Sequence, residues 1–443
     1  MKKRLIVLAC CLASTALAQL GGDYLGPAVL SSGATGVGNR SGQQVDLRFY
    51  AGVNGIYDST LQPVALDSKG NLITVGGLYG VEGNIGAYGT HSWKTAQLGL
   101  DYRGTFREYA NYSQYSGIDQ YLTLGYTWFQ SRRLIWKAQL TGGLLDDALG
   151  GIGFQPEVTS TSPTVLTPAS LLFDNRSYFV QGGLDVTWQQ TARTSFTFGG
   201  QGFDVWRQSA FLVGVEGYNL RGSVEHKLNR DTSVGFTYLR QHFNFPKVFG
   251  QGDIDSGELF LGTNLGRLWK LTVRGGVFHS EVSGLQTVAL NPVVAALLGQ
   301  STSVQAFYRE NIFPSGNVSL TRRFKQGSLN FSYAQSVVPG NGVYLTSKND
   351  TAGVDYSYTG IRKVNLNISG GYNSLVSLGQ AIQPYRTAYG GAGFTYALPL
   401  SLHLVGRYDY RHQEIDSLSY KTNGYRVSFG VTYSPGHVPL AFW

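Results

Sequence analysis

The last hairpin of the chain constrains it most. In Leu402–Arg411, Leu402, Leu404, Gly406, Tyr408 and Tyr410 fall on one side, and His403, Val405, Arg407, Asp409 and Arg411 on the other. After a polar loop the pattern returns, with Tyr425, Val427, Phe429, Val431 and Tyr433 opposing Arg426, Ser428, Gly430 and Thr432. A period of two sustained over nine or more residues is a strand with one apolar and one wet side. Strands in soluble proteins average about 5–6 residues. A tilted strand that crosses a bilayer needs about 9–11.

The start of the chain points to export. Lys2, Lys3 and Arg4 precede the apolar stretch Leu5 to Leu17, and Ala16-Leu17-Ala18 has the form of a secretory cleavage site. Residues 1–18 are therefore expected to be removed after Ala18, leaving Gln19 first. The stretch is too short to cross about 30 Å of hydrocarbon as a helix. Val7-Leu8-Ala9-Cys10 loosely resembles a lipobox, but five apolar residues are a short approach to that cysteine. Cys10 and Cys11, the only two cysteines, lie inside the leader, so the mature chain has no disulfides and no Cys-ligated metal. Loss of three basic residues leaves 32 Lys and Arg against 27 Asp and Glu, a charge of +5 without runs of like charge. A nucleic-acid partner is not expected.

Only 14% of the residues are charged, 13% are aromatic and 59 are glycine, and after residue 18 no apolar run reaches eighteen. No transmembrane helix is expected. An exported, alternating chain of this composition suits an outer-membrane barrel, in which alternation dilutes the apolar signal.

The turns give the count. Residues 19–43 are rich in Gly and Ser and read as a flexible periplasmic segment, with a short plug as the alternative. Tight turns are expected near His91-Ser92, Ser131-Arg132, Thr191-Ala192, Asn229-Arg230, Gly266-Arg267, Gln326-Gly327, Ile361-Arg362 and Pro399. Most are about 35–40 residues apart, room for two strands and a longer loop. Two wider gaps hold long loops at about 146–175 and 283–302. Eight tight turns and nine longer loops imply an all-β, transmembrane, antiparallel up-and-down barrel of about eighteen strands over 44–434, sixteen being the alternative. A tail of 435–443 follows. Short turns would face the periplasm.

Trp93, Trp128, Trp136, Trp188 and Trp269 lie within a few residues of a tight turn, while Trp206 lies at the other end of its strand. The five are expected at a membrane interface, where the ring is buried and its N–H stays wet. Aromatics flanking turns in any β protein are the plainer reading.

The strand faces assign the inside. In 95–107, Ala96, Leu98, Leu100, Tyr102 and Phe106 oppose Thr95, Gln97, Asp101, Arg103, Thr105 and Arg107. The strands near 134–144, 218–227, 269–278 and 364–373 divide likewise. Arg or Lys facing lipid at mid-bilayer costs about 2–4 kcal/mol, so the charged face is the lumen. The expected lining includes Arg103, Arg107, Lys137, Arg221, Lys227, Lys270, Arg274, Arg407, Arg411 and Arg426 with Asp101, Glu225 and Asp409. Asp119 and Asp185 are further acidic partners. Such a lining either favours anionic or polar solutes or consists of ion pairs that satisfy one another.

Loop 146–175 carries Pro156, Pro163, Pro168 and Leu171-Leu172-Phe173, and 283–302 is apolar enough for a short helix. Each would either narrow the mouth or pack at its rim. Histidines are scattered, with His242, His279 and His412 expected near the outer rim, and G-x-S-x-G, H-E-x-x-H and the P-loop are absent. Catalytic residues, metal ligands and cofactors are therefore not expected. Gly340-Asn341-Gly342 is a turn signal. A propeller would also recur every 40 or so residues, but it accounts neither for the long strands nor for the Trp positions.

The leader, the dyad strands from about Val45 to Tyr433 and the aromatic end Phe442-Trp443 together resemble a bacterial outer-membrane β-barrel of the porin-like type. The resemblance implies location in the outer membrane, contact with its lipid and recognition of a C-terminal aromatic by the barrel-insertion machinery. Pro435 and Gly436 interrupt the last strand before Phe442 and Trp443. The insertion signal is thus either that terminal pair or Phe429, Val431 and Tyr433. The expected function is passive diffusion of small polar solutes, anionic ones included. A polysaccharide-export component and a structural or adhesive barrel remain alternatives, and association with further copies of the chain is left open.

Overall fold

The computed structural model describes residues 45–60, 65–66, 72–73, 76–110, 116–146, 176–208, 212–289, 301–340, 342, 344–380, 382–415 and 420–434. The expected leader, the segment 19–43, nearly all of loop 146–175 and the tail with Phe442 and Trp443 lie outside these residues.

The alternating stretches form strands of 12–23 residues, and two short extra strands sit in the first long connection. In order they are β1 (Val45–Thr60), β2 (Ala65–Leu66), β3 (Leu72–Ile73), β4 (Gly76–Ser92), β5 (Ala96–Tyr109), β6 (Gly117–Phe129) and β7 (Leu134–Asp146). They continue as β8 (Arg176–Gln189), β9 (Thr194–Arg207), β10 (Val215–Lys227), β11 (Thr232–Asn244), β12 (Gly250–Leu265), β13 (Trp269–Ala289) and β14 (Thr302–Phe324). The last six are β15 (Gly327–Val338), β16 (Ser347–Ile361), β17 (Val364–Ser377), β18 (Tyr385–Ala397), β19 (Leu402–Ile415) and β20 (Tyr420–Tyr433).

Setting β2 and β3 aside, eighteen strands each pair antiparallel with their neighbours in the chain. The seam closes because β1 pairs on both edges, with β4 from Val45↔His91 and with β20 from Ala51↔Tyr433 to Asp58↔Arg426. The final hairpin is therefore the closing seam. Closure also leaves no edge with unpaired backbone groups, which hydrocarbon would not tolerate. The sixteen-strand alternative is excluded. Eighteen strands spaced ~4.8 Å apart and tilted ~40° make a backbone diameter of roughly 35 Å.

The outward face is apolar over one band. On β13, Trp269, Leu271, Val273, Gly275 and Val277 face out, followed by His279 and Glu281. Ten residue steps from Trp269 to His279, at ~3.3 Å and ~40° tilt, rise roughly 25 Å, the height of a barrel's apolar belt. Leu259 and Ile312, each 69% exposed, lie in this surface. It is stable only against lipid, so the sheet is a transmembrane barrel.

All eight tight turns form where expected. Three share one mechanism. Ser131 Oγ accepts from the backbone N–H of Arg133 (3.2 Å) and Leu134 (3.0 Å). Thr191 Oγ1 accepts from Arg193 (3.2 Å) and Thr194 (2.9 Å). Asn229 Oδ1 accepts from Asp231 (2.8 Å) and Thr232 (2.7 Å). Short polar side chains thus replace the missing ladder partners at the bend.

One expectation fails in part. The region 283–302 is not wholly a loop and its first residues are not helical. β13 continues to Ala289 and pairs with β14 through Leu285↔Ala306 and Ala289↔Thr302. Thr287 and Val288 are β-branched, and the ladder satisfies backbone groups that a short helix would leave open at its ends. Residues 290–300 lie outside the description.

Candidate functional site: the charged lumen and the loops across its mouth

The alternation puts one side chain in two into the lumen, and two strips of charge result. The first runs over β19, β20, β1, β4, β5 and β6. Arg426 stands directly opposite Asp58 on one side and Asp409 on the other. Its Nη2 donates to Glu82 Oε2 at 2.5 Å, and its Nε lies 3.9 Å from Asp58. The Tyr109 hydroxyl donates to Asp58 at 2.6 Å. Arg107 is paired with Asp119, Arg103 with Asp101 (3.2 Å) and Arg407 with Asp409 (2.6 Å). Arg411 is buried on the same strand as Arg407.

The second strip lies on β7 to β13. Lys137 stands opposite Asp185 in register, and Asp185 accepts from Arg221 at 2.8 Å. Arg274, stacked over the Phe260 ring at 5.4 Å, has Glu258, Arg221 and Glu225 as charged neighbours. The two strips together hold eight basic and eight acidic side chains. With Asp355 of β16, a further inward acid near Arg407, the middle of the lumen holds eight basic and nine acidic described side chains and is close to neutral.

Above the second strip, toward the long loops, the inward face changes character. Phe179, Phe203, Val205, Phe243, Ile254, Phe278 and Val282 point inward and pack with Phe245, Leu345 and Leu378 as one buried cluster. An apolar layer inside a barrel needs a cover, and three loops supply it. The connection between β15 and β16 meets the connection between β9 and β10, where the Val213 N–H donates to the Gly342 carbonyl at 3.1 Å. β10 and β15 are five positions apart in the sheet, so these loops meet only over the mouth. Arg207 Nε donates to the Val213 carbonyl (2.9 Å), tying the contact to the wall. The β17–β18 connection joins in, with the Leu378 N–H donating to Thr346 O (3.0 Å) and the Tyr344 hydroxyl to Gln383 O (2.7 Å). Gly340 and Gly342 of the covering loop have φ of 73° and 93°, left-handed values that glycine adopts without strain.

Of the lining expected from sequence, Asp101, Arg103, Arg107, Arg407, Asp409, Arg411 and Arg426 come together in the first strip. Lys137, Arg221, Glu225 and Arg274 belong to the second. Lys227 and Lys270 stand apart at the short-turn end of β10 and β13. Asp58, Glu82 and Glu258 went unnoticed although they continue the dyads of their strands, and the alternation of β1 and β4 carried the signal. The covering loops were also missed. Their trace in the sequence is an inversion of the alternation: toward the long loops β11, β12 and β13 turn Phe243, Ile254, Phe278 and Val282 inward and Arg240, His242, Asp253, Asp255, His279 and Glu281 outward.

On the outside, Trp93, Trp128 and Trp188 are 40–46% exposed beside the short turns, while Trp136 and Trp269 are partly covered there. Trp206 is exposed at the opposite end. Phe429, Val431 and Tyr433 form an exposed outward row on β20. Where the apolar belt ends, the outer wall of β11 to β14 carries Arg240 with Asp255 (3.1 Å), His242 with Asp253 (3.0 Å) and His279 with Glu310 (2.8 Å). His412 bonds Asn423 Oδ1 at 2.7 Å, at the same end of β19.

No family model and no curated protein sequence matches the chain. Among solved structures, it is similar to Pseudomonas aeruginosa OpdK with vanillate at 12% identity and TM-score 0.41, over 88% of this chain and 98% of that one. It is similar to Pseudomonas aeruginosa OccK9 (OpdG) at 16% identity and TM-score 0.42, with the same coverage. A BenF-like porin from Pseudomonas fluorescens Pf-5 aligns at 11% identity and TM-score 0.41, again over 88% and 98%.

Proposed function

We propose that this barrel is an outer-membrane channel for passive diffusion of small polar solutes, with a modest preference for anions. The observation that carries the reading is the pair of charged strips inside a lipid-facing wall. A barrel whose interior served only as a core would be cheaper to fill with apolar side chains, since ion pairs out of water contribute little net stability. Here ion pairs line the middle of the wall in two strips, and the large apolar cluster lies where loops cover it. The anion preference is assigned to Lys227 and Lys270 at the short-turn mouth, because the strips themselves balance. The loops joined at Val213 and Gly342 narrow the opposite mouth, and residues 147–175 between β7 and β8 would add to that gate. The expected leader supports export, and Phe429, Val431 and Tyr433 are proposed as the row read by the insertion machinery.

The test is conductance of the refolded protein in planar bilayers, with and without residues 147–175. Discrete steps are expected, larger in the shortened protein, with reversal potentials in a salt gradient on the anion side. Lys227→Gln with Lys270→Gln should move them toward zero. Silence from both folded forms would end the channel reading, and cation selectivity would end the anion preference.

A further inference from the structure

We propose that the ring of short turns binds anionic phospholipid headgroups of the leaflet in which it lies. The eight short turns together carry nine Lys or Arg residues and one acid, Asp231. The nine long connections carry two Lys and five acids by sequence, and beyond the belt the outer wall of β11 to β14 adds Asp253, Asp255, Glu281 and Glu310 against Arg240. The barrel is thus strongly polarised along its axis, basic at one end only.

Three features make the basic end a lipid surface. First, the cations are spread over seven of the eight turns, as in Lys94, Arg132, Arg193, Arg230, Arg267 and Arg362. A docked protein or a single solute would need a patch on one side, whereas lipids surround a barrel on every side. Second, all nine are exposed and none has an ion-pair or side-chain hydrogen-bond partner among the described residues. The inward arginines are nearly all paired, so the contrast reflects position. Third, they lie beside Trp93, Trp128 and Trp188, whose rings occupy the level where headgroups begin. Just above the turn at Lys325, Arg322 is laid over the Trp269 and Phe324 rings at 4.8 and 4.7 Å, which holds another cation at that depth. A phosphodiester at the edge of the apolar belt completes such a site.

The inference needs the barrel to span a bilayer and is independent of whether it conducts. The test reconstitutes the full chain in phosphatidylcholine vesicles and compares the motionally restricted fractions of spin-labelled phosphatidylglycerol and spin-labelled phosphatidylcholine. The anionic probe should be favoured by roughly fivefold at an annular site that engages one cation. The preference should fall steadily with salt as the Debye length shrinks. Changing the nine turn cations to Gln should bring the ratio close to one, while exchanging Arg and Lys at the same positions should preserve it. Equal association of the two probes in the unmodified protein would overturn the inference, as would a preference unmoved by salt. A preference that survives the Gln changes, while anion conductance is lost, would assign the ring to the pore entrance instead. The salt series uses the unmodified protein, so poor folding of the Gln variant leaves the inference exposed to refutation.

Discussion

Arg426→Ala probes the charged lumen most directly. Arg426 donates to Glu82 at 2.5 Å and faces Asp58 at 3.9 Å, and all three side chains are largely covered. Removing one partner of a fully buried pair costs about 3–5 kcal/mol because the other charge is left without compensation. Two features moderate the loss here. Asp58 keeps the Tyr109 hydroxyl at 2.6 Å, and Glu82 stands opposite Arg107 in the β4–β5 register. The loss should therefore approach that of a single hydrogen bond to a charged group, about 2–3 kcal/mol. Urea unfolding from phospholipid vesicles, followed by tryptophan fluorescence, measures it. Glu82→Gln combined with Arg426→Ala should recover about 1.5 kcal/mol relative to the sum of the single changes, because the orphaned charge is gone. If Arg426→Ala lies within about 0.5 kcal/mol of the unmodified protein, or if the double change is additive, the pair does not contribute as the geometry implies.

Three further perturbations follow from the same structure. Gly342→Ala combines a φ of 93° with a Cβ 2.7 Å from Arg207 Nε, so the Val213–Gly342 hydrogen bond should break and single-channel conductance rise in planar bilayers. Leu140→Arg puts a cation on the lipid face midway along β7 and should cost about 2–4 kcal/mol in the urea assay. Asn229→Ala removes the acceptor of two backbone N–H groups at 2.8 and 2.7 Å; a loss of about 1–2 kcal/mol is expected, with no change in conductance.

The barrel was largely legible because its cause is local. A strand that separates water from lipid must alternate, and Leu402–Tyr410 against His403–Arg411 shows it within ten residues. The turns were legible for a related reason, since Ser131, Thr191 and Asn229 satisfy the bends with their own side chains. The site was legible only by face. Arg103, Arg407 and Arg426 were expected inside, yet nothing near Arg426 in the sequence indicates Glu82, 344 positions away. Phe243, Ile254 and Phe278 look like further hydrophobic strand residues until the loops that cover them are in view.

The sequence by itself determined which residues meet lipid and which meet the lumen, while the choice between eighteen and sixteen strands fell to the closed sheet. A misplaced charge costs several kcal/mol wherever it occurs along a strand, so each strand carries its own orientation. The tertiary structure decided the partners. Closure of β1 on β20 brings Asp58 to Arg426, and the inward course of two loops brings Gly342 to Val213. These contacts depend on distances across a closed cylinder, which no local pattern encodes.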